Sequence, residues 1–206
     1  MAHSEGTRVY ADFYRRGASK VFSANAVVLV EGLSDQFALE SLAERRGRNL
    51  DAEGVSVVPM GGATNIRKAL NVFGPQGFDV RLAGLCDSRE ESDFRRALDQ
   101  AHLGTNLTRA DMERLGFYVC VADLEDELIR ALGAPEVERV LDAQGDAESF
   151  RTFQKQPAWR GRTAEEQLRR FIGTTSGRKI QYGALLVDAL DVTKVPRPLD
   201  GVLAHV

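Results

Sequence analysis

The chain has 206 residues, 43% of them hydrophobic, and a formal net charge of −3 at pH 7. This length and composition suit one ordinary globular core, and the slight negative charge argues against a protein that coats nucleic acid by bulk electrostatics. The N-terminus lacks a long apolar segment and no run approaches the length of a membrane span, so we expect a cytoplasmic protein with no membrane partner.

The first elements can be read from the hydrophobic pattern. Residues 1–25 place aromatic and aliphatic side chains at roughly helical spacing, which predicts an N-terminal helical arm. The valine-rich run of residues 26–30 lacks polar alternation, which predicts a strand covered on both faces. Gly32 permits a tight turn and Ser34 is a good N-cap, so a helix follows this strand.

The pattern of a strand followed by a helix recurs up to about residue 133, and helical patterns alone follow it. Apolar runs at residues 55–60, 80–86 and 117–122 each precede a helical pattern. The alternation predicts an α/β fold, with about four mainly parallel strands flanked by helices, over residues 26–133. Residues 134–206 contain successive helical stretches and more basic side chains, which predicts a C-terminal helical region packed on the sheet.

Acidic residues follow three of the four predicted strands. They are Glu31 and Asp35 after the first strand, Asp87, Glu90 and Glu91 after the third, and Asp123 and Glu125 after the fourth. Open α/β sheets bind ligands beyond the carboxyl ends of their strands. Helix capping or pairing with arginine explains one such junction, but three in a small domain favour a divalent-metal site.

These motifs resemble the Toprim domain, in particular the version in the overcoming-lysogenization-defect (OLD) family of nucleases. The matching residues are Val30-Glu31-Gly32 with Ser34-Asp35, the pair Gly61-Gly62, Asp87, and Asp123-Leu124-Glu125. The resemblance covers roughly residues 26–132 and implies a Toprim-like, Rossmann-like sheet. Toprim domains in topoisomerases, primases and these nucleases bind magnesium through acidic residues for phosphodiester chemistry.

The resemblance implies hydrolysis of nucleic acid, DNA rather than RNA, with Mg²⁺ or Mn²⁺. The implied metal ligands are Glu31, Asp35, Asp87, Asp123 and Glu125. Arg89 occupies the place of the family's second aspartate, so either Glu90 or Glu91 replaces that ligand or the second metal is lost. Lys179 corresponds to the lysine that these nucleases place near the scissile phosphate, and with Glu31 it is the implied catalytic pair.

Basic and aromatic residues offer candidate contacts to nucleic acid. The candidates are Arg89, Arg160, Arg178 and Lys179. Trp159 suits base stacking, although a tryptophan that holds the helical region on the sheet is the commoner case. The Gly61-Gly62 pair would let backbone approach a phosphate, but it is more often a simple turn. Several other residues show no ligand or redox spacing: His3, His102, His205, Cys86 and Cys120.

The sequence contains no Gly-x-x-x-x-Gly-Lys-Ser/Thr motif, so it resembles the nuclease half of the family without the ATPase domain. A separately encoded ATPase and a second copy of the chain are the candidate partners. The alternative function is a non-catalytic Toprim module that binds nucleic acid or such an ATPase, with one metal ion or none. A Rossmann-like small-molecule binder ranks last, because no Gly-x-Gly-x-x-Gly follows the first strand.

Overall fold

Four parallel strands form one sheet in the computed structural model, which describes residues 24–206. The strands are β1 (Ala26–Val30), β2 (Val55–Pro59), β3 (Arg81–Cys86) and β4 (Phe117–Val119). Their order is β2-β1-β3-β4, with Ala26 of β1 opposite Val55 on one side and Arg81 on the other. Strand β1 is therefore central and wholly buried, as its continuous apolar run predicts.

Helices connect and cover the strands. The helices between strands are α1 (Leu33–Arg45), α2 (Ile66–Phe73), α3 (Glu91–Gln100) and α4 (Arg109–Arg114), and a short 3₁₀ turn, Ala63–Asn65, precedes α2. The helices after β4 are α5 (Leu124–Leu132), α6 (Ala134–Ala143), α7 (Ala147–Gln154), α8 (Ala164–Ile172), α9 (Ser176–Ala189) and α10 (Arg197–His205). The predicted α/β class with a parallel sheet flanked by helices is confirmed.

The sheet separates two hydrophobic clusters. Val27 and Leu29 of β1 point into a cluster with α2 and α3, while Val28 and Val30 point into a cluster with α1 and the helices after β4. The helices of residues 134–206 thus share a core with the sheet. The proposed division of the chain at residue 133 stays a prediction.

The structure differs from the predicted elements in several places. Strand β4 ends at Val119, three residues earlier than predicted, because the backbone then leaves the sheet and the amide of Val121 donates to Glu127 Oε1 at 2.6 Å. Helices α4, α7 and α10 were not predicted. The predicted arm of residues 1–25 lies almost entirely outside the described residues. Within residues 24–206, no helix is long and apolar enough to cross a membrane.

Trp159 and the two cysteines occupy structural positions. Trp159 stacks on Phe153 with ring centroids 5.3 Å apart and packs against the core, which favours the structural role. Cys86 and Cys120 are both buried as free thiols, and they belong to the clusters on opposite faces of the sheet. They are small buried hydrophobic residues, as the absence of a CxxC spacing indicates.

Candidate metal centre

Glu31 leaves the central strand at the carboxyl edge of the sheet, and the glycine turn after β2 holds its backbone. The amides of Gly61 and Gly62 donate to the Glu31 carbonyl oxygen at 3.0 and 3.1 Å. Both glycines have positive φ angles, +71° and +119°, which side-chain-bearing residues rarely adopt. The pair is therefore a turn that positions Glu31, and these two amides already have a partner within the chain.

Three carboxylates converge in front of this turn, and we call Glu31, Asp87 and Glu90 the Glu31 cluster. One oxygen from each lies within 4.8 Å of the others. Asp87 follows β3 directly, and the amide of Asp87 donates to Glu90 Oε2 at 3.4 Å just before α3 begins. Arg89 stands where the family has its second aspartate and offers no carboxylate there. Glu90, and not Glu91, brings the third carboxylate to this cluster.

The closeness of these acids changes their titration. Burial, reinforced by the negative charges of Glu31, Asp123 and Asp35, raises the pKa of Asp87 to about 8. Burial and the neighbouring Glu31 raise the pKa of Glu90 to about 7. Both carboxyls thus bind a proton more readily than usual, as expected where burial and neighbouring negative charges act together.

Asp35 and Glu125 are two further carboxylates of the same site. They are more deeply buried than the Glu31 cluster, and we call them the inner wall. Asp35 is 7% exposed and accepts a hydrogen bond from the Gly32 amide at 2.9 Å, which fixes the start of α1. Glu125 is 4% exposed, and its Oε1 has no hydrogen-bond partner among residues 24–206. Burial is the main cause that raises the pKa of Asp35 to about 6 and that of Glu125 to about 7.

Lys179 places a cation against this inner wall. Its Nζ lies 3.3 Å from Glu125 Oε2, and its side chain is 35% exposed. Burial lowers the pKa of the Lys179 amine, but the charges of Glu125, Asp35 and Asp87 outweigh burial and raise it well above its usual range. Lys179 therefore stays protonated at physiological pH and faces both groups of acids.

Two other predicted ligands have arginine partners. Asp123 caps α5 by accepting from the Asp126 amide at 2.9 Å, and its Oδ2 accepts from Nε and Nη2 of Arg169 at 2.8 and 2.6 Å. Glu91 forms ion pairs with Arg95 and Arg109. These carboxylates already have charge partners, whereas no ion pair within the described residues involves the Glu31 cluster, and their role as ligands stays a prediction.

The predicted nucleic-acid contacts lie in different surroundings. Arg89 is exposed beside the Glu31 cluster and forms no ion pair within residues 24–206. Arg160 is exposed and donates to a neighbouring backbone carbonyl. Arg178 instead lies 4.1 Å over the ring of Phe171, pairs with Asp146 and donates to Thr174 Oγ1 at 2.8 Å. The contacts of Arg178 hold the start of α9.

Some residues that shape the site were not predicted. Glu127 is buried, accepts from the Val121 amide and pairs with Arg130, so it fixes the loop that leads to Asp123 and Glu125. Tyr182 donates to Asp146 Oδ2 at 2.9 Å and thereby anchors α9. The contact of Tyr182 has no signal in the sequence, because Asp146 and Tyr182 are 36 residues apart.

Comparisons with known proteins concern the first part of the chain and the fold. Residues 22–88 match the family model described as overcoming lysogenization defect protein-like, TOPRIM domain. The fold is similar to the C-terminal region of the Xanthomonas campestris pv. campestris OLD protein, with a TM-score of 0.70 and 24% identity over 90% of this chain and 93% of that one. It is also similar to the C-terminal region of the Burkholderia pseudomallei OLD protein, with a TM-score of 0.69 and 21% identity over 88% and 96%. No curated protein sequence matches.

Proposed function

We propose that this chain, which carries an OLD-like Toprim domain, hydrolyses phosphodiester bonds in DNA with the help of Mg²⁺ or Mn²⁺. The observation that carries the proposal is the Glu31 cluster, in which three carboxylate oxygens from two strand ends lie within 4.8 Å of one another. Toprim domains use acids at this edge of the sheet to bind metal for nucleic-acid chemistry.

The residues present fit a divalent metal. Mg²⁺ and Mn²⁺ prefer oxygen ligands, and Mg²⁺ needs only one or two carboxylates because water and phosphate oxygens complete its coordination. Glu125 Oε1 is a buried carboxylate oxygen without a partner in the part of the chain that the structure describes; such an oxygen is rare in folded proteins and indicates an ion or ligand that would satisfy it. We propose Glu31, Asp87 and Glu90 as one ligand set, and Asp35 and Glu125 as candidates for a second ion.

The bound ion would activate a water molecule and offset negative charge on the phosphate. Lys179 adds a fixed positive charge at the inner wall, where it would stabilise the charge that builds up on phosphate oxygens in the transition state. Glu125 holds the Lys179 amine in place through the contact at 3.3 Å. Glu31 and Lys179 are accordingly the proposed catalytic residues.

Two exposed arginines are candidate contacts to the substrate backbone. Arg89 extends from the turn that carries Asp87 and Glu90, so it can meet a phosphate next to the one being cleaved. Arg160 is a candidate for a more distant contact. The contacts of Arg178 support a structural role, which makes it the weakest of the predicted nucleic-acid contacts. A separate ATPase and a homodimer stay predictions.

Nicking of supercoiled plasmid by the purified protein tests this function. We expect nicking with Mn²⁺ or Mg²⁺ and none with EDTA. Glu31→Gln should abolish nicking. Glutamine has nearly the same shape as glutamate but lacks the negatively charged carboxylate that would bind the metal. Glu44→Gln, which changes an exposed glutamate of α1, is the matched control and should cut at the wild-type rate. Cutting that is insensitive to EDTA or to Glu31→Gln would reject the proposal.

The alternative, a non-catalytic Toprim module, rests on two observations. Arg89 stands where a metal-binding aspartate is expected, and the carboxylate of Asp123 already accepts two hydrogen bonds from Arg169. Titration calorimetry with Mn²⁺ and a DNA-binding assay separate the two functions. Binding of one ion or none, together with DNA binding and no cutting, would favour the module over the nuclease.

A further inference from the structure

We propose that Gly183 is a positioning residue that sets the place of Lys179 in the active site. This inference rests on the proposed function. Gly183 is buried on α9, one helical turn after Lys179 and on the same face of the helix. A Cβ atom at Gly183 would lie 2.7 Å from the backbone oxygen of Ser34. Helix α9 therefore approaches the start of α1 closely, at a point where a side chain would not fit.

This close approach lies next to the site. Ser34 precedes Asp35, whose carboxyl forms part of the inner wall. Lys179 reaches that wall from the neighbouring turn of α9 and places its Nζ 3.3 Å from Glu125 Oε2. The distance between the two helices at Gly183 therefore determines how far the amine extends among the carboxylates.

Other contacts keep α9 from adjusting freely. At its far end, Ser41 Oγ donates to Asp188 Oδ1 at 2.5 Å, and Arg45 donates to the Val187 carbonyl at 2.5 Å. On its other side, Tyr182 is bound to Asp146. The contacts of Arg178 hold the start of the helix, so a side chain at position 183 would push the turns between the two held ends, which carry Lys179 and Gly183, away from α1.

The size of this displacement follows from the geometry. Carbon and oxygen atoms in close contact usually stay about 3.3 Å apart or more, so a methyl group at position 183 requires a shift of roughly 0.6 Å. The atom in the way is a backbone oxygen and cannot rotate aside. Since misplacing a catalytic group by about 1 Å costs about a hundredfold in rate, a shift of this size should cost about tenfold.

Gly177 provides a matched control in the same helix. It lies in the first turn of α9, and a Cβ there would meet no atom of the described residues within 4 Å. Alanine at either position removes the conformational freedom of glycine and favours the helix to a similar extent. The two substitutions thus differ mainly in the contact with α1.

The test compares the rate of Mn²⁺-dependent plasmid nicking, at saturating DNA, for four variants: Gly183→Ala, Gly177→Ala, Lys179→Met, and Gly183→Ala combined with Lys179→Met. We expect Gly183→Ala to cut about tenfold more slowly with unchanged apparent KM for DNA, and Gly177→Ala to cut at the wild-type rate. In the Lys179→Met background, Gly183→Ala should cause no further loss, because the residue it positions is gone.

A further tenfold loss in the double variant would overturn the proposal, as would a Gly183→Ala protein with the full rate. A Gly183→Ala protein that does not fold would also overturn it, because the glycine would then be required for folding rather than for positioning.

A crystal structure of Gly183→Ala keeps this test separate from that of the proposed function. We expect the distance from Lys179 Nζ to Glu125 Oε2 to be longer than 3.3 Å, while Gly177→Ala keeps it. If no variant and no wild-type protein cuts DNA, the proposed nuclease fails, yet this distance still reports on Gly183. An unchanged distance would overturn the positioning role.

Discussion

Asp87→Asn should stabilise the metal-free protein at alkaline pH, although it removes a proposed metal ligand. Burial and the nearby acids Glu31, Asp123 and Asp35 raise the pKa of Asp87 from 3.8 to about 8. In the unfolded chain the carboxyl loses its proton near pH 4, whereas in the folded protein it keeps the proton until about pH 8. The folded state binds more protons between these values, so the free energy of unfolding falls as pH rises from 4 to 8.

The magnitude follows from the size of the shift. Each pKa unit corresponds to about 1.4 kcal/mol, so a change from 3.8 to about 8 sets an upper limit of roughly 5 to 6 kcal/mol at pH 8 and above. Asp87 is only partly buried, and water near the carboxylate screens the repulsion, so we expect about 1–2 kcal/mol. For a chain of this length, that is a rise in Tm of about 3–6 °C.

Thermal unfolding in EDTA between pH 5 and pH 8.5, followed by circular dichroism, measures this effect. The gain in Tm of Asp87→Asn over wild type should grow with pH. Asp79→Asn is the matched control, since Asp79 is exposed and precedes β3 at the opposite edge of the sheet. The reasoning fails if Asp87→Asn is less stable than wild type at pH 8 in EDTA, or if the difference is the same at every pH.

Addition of metal should reverse the order of stability of wild type and Asp87→Asn. An ion present at about a hundred times its Kd stabilises the folded wild type by about 2.7 kcal/mol. Asp87→Asn lacks one proposed ligand and should gain less. Wild type should therefore become the more stable protein when Mn²⁺ replaces EDTA at pH 8.

Three shorter predictions concern the neighbouring residues. Glu90→Gln should weaken Mn²⁺ binding in calorimetry, whereas Glu91→Gln should lower Tm but leave Mn²⁺ affinity near that of wild type, because Glu91 is paired with arginines. Arg169→Met should destabilise the protein by about 1–3 kcal/mol in urea unfolding, since Asp123 loses its partner. Tyr182→Phe should cost about 1–2 kcal/mol in the same assay by removing the hydrogen bond to Asp146.

The sheet and its carboxyl edge could be predicted because their signals are local. The run Ala26–Val30 has no polar residue, which is the mark of a strand buried on both faces, and it is the centre of the sheet. Glu31 and Asp87 follow their strands directly, so the topology alone brings them to one edge. Their convergence with a third carboxylate follows from the parallel order of β1 and β3.

The partners of the acids could not be predicted, because they depend on helices distant in sequence. Asp123 and Arg169 are 46 residues apart, and nothing in either segment indicates that they pair. The sequence does not distinguish Gly183 from other glycines in helices, because its close contact with α1 exists only in the folded structure. Helix α10 was missed because its apolar residues, such as Leu199 and Val202, are few and begin after Pro196-Arg197-Pro198, which reads as a loop.

The change from an aspartate to Arg89 is accommodated by the geometry of a single turn. Glu90 lies at the start of α3, where the helix dipole favours a negative charge, and its extra methylene group lets the carboxylate reach Glu31 and Asp87 from one residue further along the chain. Arg89 then points to solvent instead of into the site. Together with Glu31, the turn of Asp87 and Glu90 thereby keeps three carboxylates close to one another and gains an exposed cation beside them, so the proposed catalysis does not require an aspartate at position 89 as long as Glu90 is present.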